Sequence, residues 1–365
     1  MAKDGKSETT FMRGARSFIA GRFETVAREP FDDGWAPEEK EEQPLATQVT
    51  IERARSIVSH NDSPDVGFDS SINPYRGCEH GCIYCYARPS HAYLELSPGL
   101  DFETKLFAKT NAPELLREAL AKPGYKPSPI ALGANTDCYQ PIERKYGITR
   151  QILEVLAEAE HPVTIVTKSA LVERDLDILG PMAENNLVRV FVSIGTLDRT
   201  LARKLEPRAA SPQRRLDILK ALSGAKVPCG VMVAALIPAL NDKTLEHVLE
   251  AAAAAGAEEA AYVIMRLPNE LKDLFKEWLA AHYPERAEHV ISIIRQIRGG
   301  RDNDPRFGTR MSGTGNYAEL IEKRFEIACR RYGLNDHHGG GRRRPELDCR
   351  RFKPPASNPG QMPLF

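Results

Sequence analysis

A chain of 365 residues, 42% hydrophobic and 27% charged, can bury one large α/β domain with extensions, or two modest domains. Its 50 basic residues balance 50 acidic ones, so no global field selects nucleic acid or a membrane, and any basic face must be local. The cysteine count of 7, an odd number, suits a reducing cytoplasm better than a disulfide framework, and no apolar run is long enough to span a bilayer; the expectation is a cytoplasmic protein, neither secreted nor membrane-embedded.

Residues 1–62 mix charge with Pro30, Pro37 and Pro44 and show no sustained apolar period, so they are expected to form an N-terminal extension. Arg13, Arg16, Arg22 and Arg28 suit a phosphate backbone, but Glu24, Glu29 and Asp32 equally suit a solvated segment packed over the core. From 63 to 298 the pattern alternates between strand and helix, and this is the expected core domain. Short β-branched or apolar runs at 129–134, 163–167, 188–194, 230–237 and 260–265 predict buried parallel strands. Asn111 with Pro113, Thr149, and Ser211 with Pro212 mark the starts of crossover helices. With a short strand ahead of Cys78, six βα units result, and their order predicts a parallel α/β barrel or open sheet whose site lies at the carboxyl ends of the strands.

Helices are expected at 242–255, an alanine-rich stretch, and across 269–297. Residues 299–335 form a Gly- and Arg-rich loop, with Arg301, Arg306 and Arg310 suited to an anion, followed by a helix from Asn316 to Tyr332. Gly313 to Ala318 matches a dinucleotide-binding turn, but no second strand or acidic residue follows at the required distance. Residues 336–365 turn to Gly, Arg and Pro and are expected to be a flexible tail.

The chemistry concentrates in Cys78-Glu79-His80-Gly81-Cys82-Ile83-Tyr84-Cys85, where three cysteines stand at C-x3-C-x2-C spacing. Three thiolates on one tight loop can each hold one iron of a 4Fe-4S cluster and leave the fourth iron open for chemistry. A structural zinc site is the competing reading; it needs four ligands, usually as two pairs, and only His80 lies nearby to complete the set. Three inert core cysteines would have no reason to fall at ligand spacing on a polar, Gly-containing loop.

The cysteine stretch, with Tyr84 before the third thiol, resembles the signature of the radical S-adenosylmethionine (radical SAM) superfamily. Asn135-Thr136-Asp137 to Glu143, Thr167-Lys168-Ser169, Ser193-Ile194-Gly195-Thr196 and Leu205-Glu206-Pro207-Arg208 are similar to its spore photoproduct lyase-like branch, over about residues 65 to 270. The resemblance implies a partial (β/α)6 barrel of TIM type, with the N-terminal arm and a C-terminal helical extension around it. It implies a 4Fe-4S cluster on Cys78, Cys82 and Cys85 and S-adenosylmethionine held at its open iron. Tyr84 then falls at the adenine side, Asn135 and Asp137 near the amino group, Lys168 near the carboxylate and Ser193 near the ribose. Spore photoproduct lyase uses a cysteine of the Asn135 loop as hydrogen donor; that position is Asn135 here, and Cys138 follows as the candidate radical partner. An external electron donor of flavodoxin or ferredoxin type is implied as well.

The terminal Gln361, Leu364 and Phe365 resemble the short peptide by which bacterial DNA-maintenance proteins dock on the replication sliding clamp, with two apolar anchors and one orienting amide. The resulting expectation is a radical SAM enzyme, lyase-like, acting on a nucleic-acid-related substrate. Radical modification of a peptide or small metabolite is the alternative among enzymes, and a metal-stabilised binding module without turnover the alternative outside them.

Overall fold

The computed structural model describes residues 13–24, 45–335 and 346–355. The segment expected to dock a clamp, with Gln361, Leu364 and Phe365, lies outside the described residues, as does Arg28. Among the described residues the strands are, in chain order, β1 (Gln48–Ile51), β2 (Val58–His60), β3 (Ser70–Ile72), β4 (Tyr75–Arg76), β5 (Lys105–Ala108), β6 (Ile130–Leu132), β7 (Val163–Thr167), β8 (Val188–Ser193), β9 (Cys229–Leu236) and β10 (Glu259–Ile264).

Six of them form the parallel sheet in the sequential order β3, β6, β7, β8, β9, β10, each connection passing through helix, and β2 adds antiparallel on the outer side of β3. β-Branched residues dominate β7 and β8, and their alternate side chains pack into one core with the covering helices. The sheet does not close on itself; β10 and β2 are its edges. Asp65, just past β2, accepts from the amide of Gly308 at 2.6 Å and pairs with Arg310, while the amide of Ile264 in β10 donates to Met311 at 2.9 Å. The segment 308–311 thus spans the open side between the two edges.

A second sheet, with β1 parallel and β4 antiparallel to β5, was not read from the sequence. Its strands are 4, 2 and 4 residues long, too short to carry a hydrophobic period, and two of them lie outside the αβ alternation. Helix starts were legible to within a residue or two. Ser211 accepts from the amide of Arg214, as an N-cap should. Asn111 stands at the N-cap of Ala112–Leu120, but its side chain bonds both backbone groups of Ala54 instead. Thr149 lies inside the first turn of Ile148–Glu158, where its hydroxyl donates to the Cys138 carbonyl. The long 269–297 stretch divides into Leu271–His282 and Pro284–Gln296, because Pro284 cannot continue one helix but suits the start of the next.

His161 is fully buried, its Nδ1 bonded to the Pro162 carbonyl at 3.0 Å and its Nε2 to the Tyr125 hydroxyl at 2.9 Å. Burial holds its pKa down at about 4, against 6.5 for an ordinary histidine. The unfolded chain therefore binds a proton that the folded chain refuses, so this residue's stabilisation is complete above pH 6.5 and falls away as pH drops towards 4. The loss should reach about 3 kcal/mol. Urea unfolding of the wild type and of His161→Phe across that window should show a shallower acid slope in the variant.

Candidate active site

The cysteine loop leaves β4 at the carboxyl end of the main sheet. Gly77 adopts φ +73°, and a Cβ there would lie 2.6 Å from Leu106 Cδ2 and 2.8 Å from the Phe102 carbonyl oxygen, so only glycine passes. The Cys78 amide donates to the Phe102 carbonyl at 2.9 Å and the Ile83 amide to the Leu205 carbonyl at 3.0 Å, fixing both ends of the turn. Cys78 and Cys82 are 7% exposed, Cys85 is half-buried, and all three are free thiols. Burial pushes the thiol of Cys78 well up, assisted by the Asp137 charge, and pushes Cys82 up against the opposing charge of Lys168.

Among the described residues no three His, Cys, Asp or Glu side chains converge as a single metal ion would require. His80, the fourth ligand a zinc reading would need, turns its Nδ1 to Asp137 at 3.3 Å. Thiols spread along one loop instead suit a polynuclear cluster, whose irons stand apart and each take one sulfur. Three free thiols on one loop fit such a group, which takes them as thiolates and releases their protons.

A clasp under this loop was not foreseen. Arg88 and Glu103 are both fully buried and paired at 2.5 Å. The Arg88 fork also donates to the carbonyls of Cys82 (2.9 Å), Gly81 (3.1 Å), Gly99 (2.9 Å) and Pro98 (3.2 Å). Glu103 in turn accepts from the amides of Gly14 at 2.9 Å and Ala15 at 2.8 Å, while Arg13 donates to the Glu103 carbonyl at 2.9 Å. A Cβ on Gly14 would fall onto the Gly81 carbonyl oxygen, so the N-terminal segment lies flush on the cysteine loop. Of the two uses open to the arginines of this segment, Arg13 and Arg22 are taken by packing, Arg22 pairing with Glu270 at 2.9 Å.

The later strand ends deliver the remaining polar groups. After β6, Asn135 is exposed with its amide on Asn73 Oδ1 at 2.9 Å, and Asp137 accepts from the Thr167 hydroxyl (2.8 Å) and the amides of Lys168 (2.7 Å) and Tyr139 (2.9 Å). Burial alone would raise the Asp137 pKa, but His80 and the Lys168 amide and charge outweigh it and hold it at about 2. Lys168 at the end of β7 places its Nζ 5.9 Å from the Tyr84 ring centre. Ser193 ends β8 and is buried, its carbonyl accepting from Arg215 Nη1 at 2.9 Å.

The profile of the Radical SAM superfamily matches residues 72–252. An uncharacterised protein of Mycobacterium tuberculosis is 34% identical over 340 residues, 90% of this chain and 94% of that one. The chain belongs to the radical SAM superfamily. An uncharacterised protein of Methanocaldococcus jannaschii is 28% identical over 247 residues, covering 67% of this chain and 88% of that relative. The radical SAM fold seen here is shared with spore photoproduct lyase complexed with dinucleoside spore photoproduct, at TM-score 0.58 and 15% identity over 78% of this chain and 80% of that one. A variant of that lyase with bound AdoMet and dinucleoside spore photoproduct matches over the same shares at TM-score 0.54 and 16% identity. The protein is an enzyme of the radical SAM type.

For a radical SAM enzyme, the expected residues fall into two groups. Tyr84, Asp137 and Lys168 are linked by the contacts above and, with Cys78, Cys82, Cys85, Asn135 and Ser193, lie on the turns that follow β4, β6 and β7 or at the end of β8. Cys138 stands apart: it is fully buried in the main core, and burial pushes its thiol well up. Further side chains tie the group together. Gln140 accepts from the Glu79 amide at 2.9 Å and donates to the Gly77 carbonyl at 3.0 Å. Arg208 pairs at 2.7 Å with Glu79, not with Glu206; the latter is buried against Arg215 and the Tyr84 hydroxyl. Asn241 holds the ends of β8 and β9 together, donating to the carbonyls of Gly195 (2.8 Å) and Ala235 (3.0 Å). Gln140 and Asn241 had no sequence signal beyond polarity next to a strand end, whereas Glu206 and Arg208 lie in a segment that carries the family resemblance.

Proposed function

We propose that this radical SAM enzyme holds a 4Fe-4S cluster on Cys78, Cys82 and Cys85, binds S-adenosylmethionine beside it, and acts on a nucleic-acid-related substrate. The observation that carries the reading is a triad of free thiols on one loop, two buried and one half-buried, with Lys168 and Asp137 brought beside it from the ends of two other elements. When bound and reduced, the cluster supplies the electron that cleaves S-adenosylmethionine to methionine and a 5′-deoxyadenosyl radical.

The chain's own residues position and shield. The Lys168 ammonium offers a carboxylate a charge partner and favours the thiolate of Cys82, offsetting its negative charge. Asp137, kept ionised, orients the Lys168 backbone through its amide and supplies negative charge towards an ammonium group. Tyr84 presents its ring while Glu206 fixes its hydroxyl, and Ser193 and Asn135 offer polar groups at neighbouring strand ends. The buried Arg88 clasp and the N-terminal segment keep water from the far side of the loop. A flavodoxin- or ferredoxin-type protein would deliver the electron. The nucleic-acid reading draws support from the lyase of the same fold that is complexed with a dinucleoside lesion.

Anaerobic reconstitution with iron and sulfide, then incubation with dithionite and S-adenosylmethionine, should yield 5′-deoxyadenosine. Cys82→Ala should lose both the product and most of the bound iron. Wild-type protein that binds iron and yields no 5′-deoxyadenosine would refute the reading.

A further inference from the structure

On the rim of the site, next to Cys85, a row of arginines and aromatic rings closes the open side of the sheet. Tyr86 is 50% exposed, and its hydroxyl is spent on the Ala134 carbonyl, so what it offers is its ring. The Arg266 guanidinium, two residues beyond β10, lies 5.6 Å from the centre of that ring. Arg310 lies 4.6 Å from the centre of the Phe307 ring, which is 58% exposed. Two cation–aromatic pairs therefore stand at the gap, one joining the end of β10 to the cysteine loop and one on the segment that spans the gap.

Within this row Arg310 is paired with Asp65, and among the described residues the charge of Arg266 is not paired. Arg266 has no carboxylate within ion-pair distance among the described residues; its Nη1 meets only the Met311 sulfur at 3.3 Å, and its buried Nε has no hydrogen-bond partner. Burial, and then the neighbouring Arg310, pull its pKa below the ordinary arginine value. Arg298 behind it is likewise held down at about 10 by burial and by Arg266. Asp65, the acid in the row, is already occupied by Arg310 and the Gly308 amide. A half-buried guanidinium short of an anion, flanked by open ring faces, has the composition of a single-stranded nucleic-acid groove, in which arginine meets phosphate and aromatic rings stack on bases. A peptide carboxylate would use the arginine but leave the two rings unused.

We infer that Arg266, with Tyr86, Arg310 and Phe307, forms a subsite that grips a backbone phosphate and stacks an unpaired base of a single-stranded nucleic acid at the mouth of the site. The inference rests on the nucleic-acid reading above and assigns that substrate class to particular residues.

The test is fluorescence anisotropy of labelled decathymidylate with reconstituted holoprotein, without S-adenosylmethionine, over a series of salt concentrations. Wild type should bind at about 50 mM salt and weaken steeply as salt rises. Arg266→Gln should weaken binding about tenfold and lower the salt slope by about one. Arg266→Lys, which keeps the charge and loses the fork, should fall between. Phe307→Ala should weaken binding about fivefold or more with the slope unchanged. If Arg266→Gln fails to fold, as judged by its thermal midpoint and iron content, Arg266→Lys and Phe307→Ala carry the test. No binding by wild type, wild-type affinity and slope in these variants, or tighter binding of an acidic decapeptide would overturn the subsite. Because binding is read without turnover, 5′-deoxyadenosine formation without decathymidylate binding defeats this inference alone, and binding without 5′-deoxyadenosine defeats the radical reading alone.

Discussion

Arg88→Met is expected to destabilise the protein by about 3–5 kcal/mol and to reduce the iron it retains after reconstitution. The guanidinium and the Glu103 carboxylate are each 0% exposed, so removing one charge leaves the other buried without its counter-ion. Methionine fills the stem's volume but satisfies none of the four carbonyls that the fork reaches, and two of these belong to Gly81 and Cys82 in the ligand loop itself. Arg88→Lys should recover little, since one ammonium cannot span acceptors placed for a planar fork. Urea unfolding measures the first effect and iron per chain the second. A variant with wild-type stability and iron content would show that the loop holds its shape without the clasp.

The same clasp marks where sequence reasoning stopped. Periodicity made the later parallel strands legible, since β7 and β8 are β-branched runs bounded by helix signals; β7 to β10 were placed within one residue of their observed spans, β6 within two, and the short strand ahead of Cys78 without a span. The cysteine spacing made the loop legible because its ligands are local in sequence. Arg88 reads as an ordinary charged residue before a proline, and its partner Glu103 lies 15 positions on, in a four-residue helix too short to show a period. The Glu103 contacts with Gly14 and Ala15 span 89 and 88 positions. A charge that spends its donors on irregularly spaced loop carbonyls and one carboxylate has no periodic pattern to reveal it. For the same reason the arm was legible as polar and Pro-containing, but not as a segment that packs on the ligand loop.

Glu206 joins three parts of the site and should respond to mutation nearly as strongly. It accepts from the Tyr84 hydroxyl in the cysteine loop and pairs with Arg215, whose other nitrogens hold the carbonyls of Ser193 (2.9 Å) and Ala210 (2.8 Å). Glu206→Gln keeps the shape but leaves the buried Arg215 charge without its counter-ion, and is expected to cost about 3 kcal/mol. Tyr84→Phe removes one hydrogen bond to a charged acceptor and keeps the ring, for about 1.5–3 kcal/mol. If the two residues act through their shared bond, the double variant should lose less than the sum of the single losses, by about 1 kcal/mol or more. Additive losses in urea unfolding would mean that Tyr84 is held by its ring packing, and that Glu206 serves Arg215 and the end of β8 alone. The coupled result would instead make Glu206 the link through which the end of β8 sets the tilt of the Tyr84 ring under Lys168.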